Sequence, residues 1–228
     1  MYIAKSIDRS GEPVARSTKE EALATRHRLL DAAERLFQQR GVSHTSLHDI
    51  AAHAGATRGA VYWHFKDKAD LFNAMLERVT LPLEQSLHPR RDAPAADALV
   101  ALRLAVLDTL RQLSTDDQLR RVVEVATHKV EYVDELHAVR ERHVSVRNQC
   151  VVDIGLALRS AAQQRGVQLP IPAGRGAHGL HALLDGLIRN WLLDTSEFDL
   201  PVVGQQVLDV YLAGLGLGPM TKDAARGT

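Results

Sequence analysis

A chain of 228 residues that is 45% hydrophobic and 25% charged has enough apolar material for a full globular core, which excludes general disorder. Its 28 Lys and Arg balance 28 Asp and Glu, so the net charge is +0 and any grip on nucleic acid has to be local rather than a property of the whole chain. One cysteine, Cys150, excludes an internal disulfide framework, no apolar run reaches the roughly 18 residues of a membrane span, and the first residues lack the apolar core of a signal peptide; a cytoplasmic protein with neither metal nor cofactor is the expectation.

In chain order, residues 1–16 carry no periodic pattern and read as a flexible arm. Thr18-Lys19-Glu20-Glu21 then has the form of a capping box, and Leu29, Leu30, Ala33, Leu36 and Phe37 make one apolar helical face that Gly41 ends. Capping candidates from Ser43 to Ser46 open a short helix burying Leu47, Ile50, Ala51 and Ala54. Gly55 closes it, and Thr57 caps a third helix from Arg58 to about His64. Two short helices joined by so tight a glycine turn must cross steeply, which is the grammar of a helix-turn-helix. Asp67 to Asp70 cap a fourth helix ending near Pro82, and residues 86–95 read as a linker. Five longer helices are expected over 96–113, 116–132, 134–165, 174–193 and 201–217, with 218–228 as a frayed tail. The fold class is therefore all-α, with a helix-turn-helix domain over 17–72 and a second helical domain over 73–217.

The third helix carries the chemistry. Thr57-Arg58-Gly59-Ala60-Val61-Tyr62-Trp63-His64-Phe65 offers a hydroxyl at its start, an arginine suited to guanine N7 and O6, and a glycine that permits close approach to another surface. Lys66 and Lys68 flank the start of the fourth helix, where two ammoniums and the helix dipole favour a phosphate. DNA contact is expected of Thr57, Arg58, Tyr62 and Lys68, and a core position of Phe65 and of Trp63. In the second domain Leu180, Leu183, Leu184, Leu187, Ile188 and Trp191 share a helical stripe, suited either to a partner or to the chain's own core.

The run from Thr25 to Phe72, and within it TRGAVYWHFKDKADL, resembles the DNA-binding domain of the TetR family, in the form of the AcrR/TtgR type of multidrug-efflux repressors. Arg120 to Asp134 and Asp185 to Leu200 resemble segments of the same group, and the likeness spans roughly residues 14–215. The resemblance implies a TetR-like fold of about nine helices and a homodimer on a near-palindromic double-stranded operator, released by a small-molecule inducer. It implies base contacts from Thr57, Arg58 and Gly59, with Thr45, Tyr62, His64 and Lys68 on phosphates and sugar. A dimer interface would take Leu180, Leu183, Leu187, Trp191, Val207 and Tyr211, and a ligand cavity Val79, Val106, Val123, Thr127, Cys150, His181, Leu184 and Asp185. Against the cavity stand plainer readings: Asp185 partly solvated or paired with His181 one turn away, and Cys150 as core.

Catalysis finds little support. His44 with His48, Glu124 with His128, and His181 with Asp185 stand four apart, but such pairs arise easily by chance, and Gly214-Leu215-Gly216-Leu217-Gly218 follows no strand. A transcriptional activator, or a regulator of a metabolic operon, on the same fold stays open beside the repressor, because a fold does not determine the sign of regulation.

Overall fold

The computed structural model describes residues 14–87, 97–131 and 133–218; residues 1–13 of the arm expected over 1–16, most of the linker expected over 86–95 and all but the first residue of the tail expected over 218–228 lie outside the described residues. Among them the chain forms nine α-helices and one 3-10 turn, without a strand. The helices are α1 (Val14–Arg40), α2 (Leu47–His53), α3 (Arg58–His64), α4 (Lys68–Leu87), α5 (Ala98–Thr115), α6 (Asp117–His128), α7 (His137–Arg165), α8 (Ala173–Leu193) and α9 (Leu200–Gly214).

Local chemistry explains most ends. Ser46 and Asp49 form a reciprocal capping box at α2, and the side chains of Thr57, Asp97, Asp116 and Asp199 accept backbone N–H groups at the starts of α3, α5, α6 and α9. Gly41 and Gly55 take positive φ of 82° and 62° just past α1 and α2, where a side chain would be strained. Several boundaries differ from the sequence expectation; α6, for one, ends at His128 rather than at residue 132. α1 is already helical at Val14, so residues 14–16 are not arm and the Thr18 box does not start the helix. α4 continues through Pro82 to Leu87, because a proline removes one donor without barring helical φ downstream. α9 stops at Gly214, where Gly216 turns the chain at φ 75°.

The packing does not divide at residue 72. The core of the reading head, built on Leu29, Phe37, Ile50, Val61, Phe65 and Phe72, also takes in Val122 and Val125 of α6, Leu136 and Val139. A second core joins α5, α7, α8 and α9 around Leu102, Leu158, Leu180 and Leu208. A third, around Trp191, Leu110, Leu113, Leu119 and Leu200, lies where α5, α6, α8 and the start of α9 meet. α6 thus belongs to head and body at once.

Candidate functional site

The second and third helices hold each other by few residues. Ile50 and Ala51 of α2 and Val61 of α3 are buried, and Ala56 N–H donates to the Ala51 carbonyl at 2.9 Å across the Gly55 turn. Val61 is the one fully buried residue of α3, Ala60 and His64 are partly buried, and Arg58, Gly59, Tyr62 and Trp63 are exposed. Thr57 accepts Ala60 N–H at 3.2 Å, which leaves its hydroxyl hydrogen available to a phosphate. Arg58 is exposed, its guanidinium 5.7 Å from the Tyr62 ring centre, a cation–π contact that steadies a long side chain before any partner arrives. At Gly59 an added Cβ would meet nothing nearer than Thr57 Oγ1 at 3.9 Å, so no internal packing requires the glycine.

Two aromatic neighbours behave differently. Phe65 is buried as expected, with the Arg26 guanidinium 5.3 Å from its ring centre. Trp63 is not core: it is 73% exposed, beside Tyr62 at 51%, and His64 braces it edge-on at 4.6 Å. Helical position explains this correction, since Trp63 stands two residues from the buried Val61 and so lies on roughly the opposite face of α3. Burial, and then the charge of Arg26, hold the His64 imidazole below its usual pKa.

Two of the expected phosphate contacts are corrected. Thr45 is 1% exposed and its hydroxyl donates to the Gly41 carbonyl at 2.8 Å. Lys68 is 6% exposed and its Nζ donates to the Ser43 carbonyl at 3.4 Å. Both groups brace the turn that launches α2. The start of α4 is likewise satisfied from within, Lys66 N–H on Asp70 Oδ2 at 2.9 Å and Asp70 N–H on Asp67 Oδ1 at 2.8 Å. Lys68→Ala should consequently destabilise the head by about 1.5–3 kcal/mol, the worth of a hydrogen bond to a charged group, and weaken DNA binding without changing its salt slope. A slope lower by about one, in affinities measured across a salt series, would restore the phosphate contact.

Four of the expected ligand residues, Val79, Val106, Val123 and Leu184, lie where two cores adjoin. Val79, Val106 and Val123 pack against the Trp191 core, and Val106 and Leu184 against the core of α5, α7, α8 and α9. Cys150 and His181 are half-buried, and burial lowers the His181 pKa while the Asp185 charge opposes the shift. Asp185 is not a carboxylate without a cation: Arg189 Nε donates to its Oδ2 at 2.7 Å. Arg189 Nη1 also donates to the Thr127 carbonyl at 3.3 Å, and His128 Nε2 lies 3.2 Å from the Arg189 carbonyl oxygen, so the end of α6 is fastened to α8. The Thr127 hydroxyl donates to Val123 O of its own helix at 2.8 Å. Sequence reasoning missed Arg189, although its four-residue spacing from Asp185 was the available signal. None of the eight lines the cleft of about 590 Å³ between the end of α7 and the start of α8, which Arg159, Gln163, Leu169 and Ile171 border.

The expected dimer stripe divides. Leu180 and Trp191 are buried in the chain's own cores and are corrected to core residues, and Leu187 packs beside Trp191. Tyr211 donates its hydroxyl to the Gly176 carbonyl at 2.8 Å and lies so close over Gly179 that a Cβ there would overlap it. Leu183 and Val207 remain at the surface, where with Gln206, Tyr211 and the 74% exposed Val210 they line an open apolar depression of about 260 Å³. Among the described residues no three His, Cys, Asp or Glu side chains converge to hold a metal ion, and no helix is long and apolar enough to cross a membrane.

Comparison with known proteins places these features. Residues 29–75 match the family model for bacterial regulatory proteins of the tetR family, and residues 97–216 match that for the C-terminal region of MAATS-type transcriptional repressors. The HTH-type transcriptional regulator TtgR of Pseudomonas putida is 37% identical over 206 residues, covering 90% of this chain and 98% of the relative. The crystal structure of NalD, the secondary repressor of the MexAB-OprM multidrug efflux pump in Pseudomonas aeruginosa, superposes with a TM-score of 0.78 at 37% identity, covering 85% of this chain and 98% of that one. A triclosan complex of SmeT, the repressor of the Stenotrophomonas maltophilia multidrug efflux pump SmeDEF, gives 0.72 at 34% identity, covering 83% and 90%.

Proposed function

Since the chain belongs to the TetR family of bacterial regulatory proteins, we propose that it is a cytoplasmic homodimeric repressor of a multidrug-efflux operon, released from its operator by a small lipophilic drug. The observation that carries the reading is α3, which buries Val61 and turns Thr57, Arg58, Tyr62 and Trp63 to solvent. Arg58 and Gly59 face base edges in the major groove, and Thr57, Tyr62 and His64 meet phosphate and sugar. A second copy supplies the second reading head through Leu183, Val207 and Val210, since two-fold symmetry matches a near-palindromic site with half-sites about 34–36 Å apart. No catalytic step is assigned to the chain.

The drug sits against the apolar junction of Val79, Val106, Val123 and Leu184, with Asp185 and Arg189 as the polar pair at its rim. Triclosan is the probe, as the ligand of the SmeT relative. DNA and drug weaken each other by the same factor. A protection footprint on promoters flanking this protein's own gene, followed by transcription from the protected promoter with and without triclosan, tests the reading. Protection beside an efflux operon, with transcription blocked and then restored by the drug, is the expected result. Stimulated transcription, or protection only at metabolic genes, would overturn it. Asp185→Ala should change the triclosan concentration for half-release by at least about threefold while drug-free operator affinity stays within about twofold. Unchanged release in that variant removes Asp185 from the ligand site.

A further inference from the structure

α6 is a body helix by sequence position, yet it faces two ways. Val122 and Val125 are fully buried in the head's core, while Leu119 and Val123 belong to the core around Trp191. Where α6 runs beside α1 the seam is closed by polar rungs as well as by apolar packing. Gln118 Nε2 donates to Glu34 Oε1 at 2.9 Å, Gln38 Nε2 donates to Glu124 Oε2 at 3.1 Å, and Val42 N–H donates to the Lys129 carbonyl at 3.1 Å. The three head residues are spaced four apart, so Glu34 and Gln38 lie one above the other on the face of α1 and Val42 continues the line just past its end. Their partners follow in the same order along α6 and its C-cap residue Lys129, which makes a parallel ladder of three rungs.

The ladder ends at the reading machinery. Its first rung also binds α4, because Arg78 pairs with the buried Glu34. Its last rung holds Val42 in the short connection that Thr45 and Lys68 brace from the other side through the Gly41 and Ser43 carbonyls, immediately before the Ser46 cap of α2. A shift of α6 along α1 would therefore reach the turn that aims α2 and α3.

We propose that Glu124 and Gln118 are positioning residues for DNA reading: acting through Gln38 and Glu34, they hold the head at the angle to the body from which two α3 helices fit successive major grooves. The operator half of this statement rests on the two-headed reading above; the head-docking half does not. The middle rung is suited to a test, since its donor and acceptor can be exchanged. Gln38→Glu sets two carboxylates against each other across the seam, Glu124→Gln leaves an amide pair, and the double variant Gln38→Glu with Glu124→Gln restores the rung with donor and acceptor reversed at unchanged net charge. Gln39→Glu, exposed on the next position of α1, controls for the added charge.

Two quantities are read: operator affinity by fluorescence anisotropy, and hydrogen exchange at the Val42 amide, whose acceptor is the Lys129 carbonyl at the C-cap of α6. Gln38→Glu should weaken operator binding about tenfold and speed Val42 exchange, the double variant should return both to within about twofold of the starting protein, and Gln39→Glu should leave both within twofold. If Gln38→Glu does not fold, Glu124→Ala, which removes only the acceptor, takes its place and should change both quantities in the same direction. Loss in Gln38→Glu without recovery in the double variant, or no change in either quantity, overturns the proposal. A protein that binds no DNA, yet whose Val42 exchange follows the rung, would sink the operator reading while upholding the ladder as the dock of the head.

Discussion

Trp191→Ala is expected to lower the folding stability of each protomer by roughly 3–5 kcal/mol, as for large-to-small changes of a buried aromatic residue. In a chain of this size that corresponds to a fall in Tm of about 10 °C. The side chain is buried among Leu110, Leu113, Leu119 and Leu200, with Val106, Val123 and Leu187 packed against the same cluster. Denaturant unfolding at two protein concentrations decides between core and interface. A core tryptophan gives the same loss at both concentrations and leaves the self-association constant of the folded protein as it was. An interface anchor instead gives folded protomers that separate on dilution, and that result would return Trp191 to the dimer face. Leu183→Arg makes the opposite case, since Leu183 borders the open depression with Val207 and Val210 and contributes little to the interior. It should dissociate the pair while each protomer stays folded.

Arg58→Ala should cost about 1–3 kcal/mol per half-site, the worth of one well-made contact to a base edge, which is a loss of about fivefold to 150-fold at each head. Selectivity should fall with affinity: the variant ought to tolerate changes at the base pair it reads while holding on to the phosphate contacts of Thr57 and Tyr62. Arg58→Lys should recover little, because a lysine keeps the charge but not the planar fork that addresses guanine N7 and O6 together. The Tyr62 ring beneath the guanidinium contributes by limiting its orientations before DNA arrives. Titration of the operator and of single-base variants of it with both proteins measures these effects. Undiminished affinity and selectivity in Arg58→Ala would move the base contact elsewhere on α3, with Trp63 the most exposed large side chain left there.

What could be read in the chain was whatever is settled within a few residues. Ser46 with Asp49, Thr57, Asp116 and Asp199 each satisfy N–H groups two or three positions away, so the starts of α2, α3, α6 and α9 follow from spacing alone. The left-handed turns at Gly41 and Gly55 are equally local, since few residues but glycine adopt them without strain. Spacing in threes and fours also shows which residues share a face, and so the all-helical class and the helix-turn-helix were determined by the sequence itself.

Which partner covers each face was decided only in the tertiary structure, because helical periodicity carries no information about what lies opposite. Leu180 and Leu183 lie on one stripe, yet the first is sealed into the core beside Leu158 and the second borders open surface. Thr45 and Lys68 are the polar residues a phosphate would want, but α1 and α2 fold so that the nearest acceptors are their own Gly41 and Ser43 carbonyls, and a buried donor takes the partner within reach. Asp185 acquires Arg189, and Arg189 the end of α6, through the packing of α6 on α8. The ladder from Glu34 to Val42 is of the same kind: its rungs join positions more than eighty residues apart, and only the placement of α6 along α1 brings each donor to its acceptor.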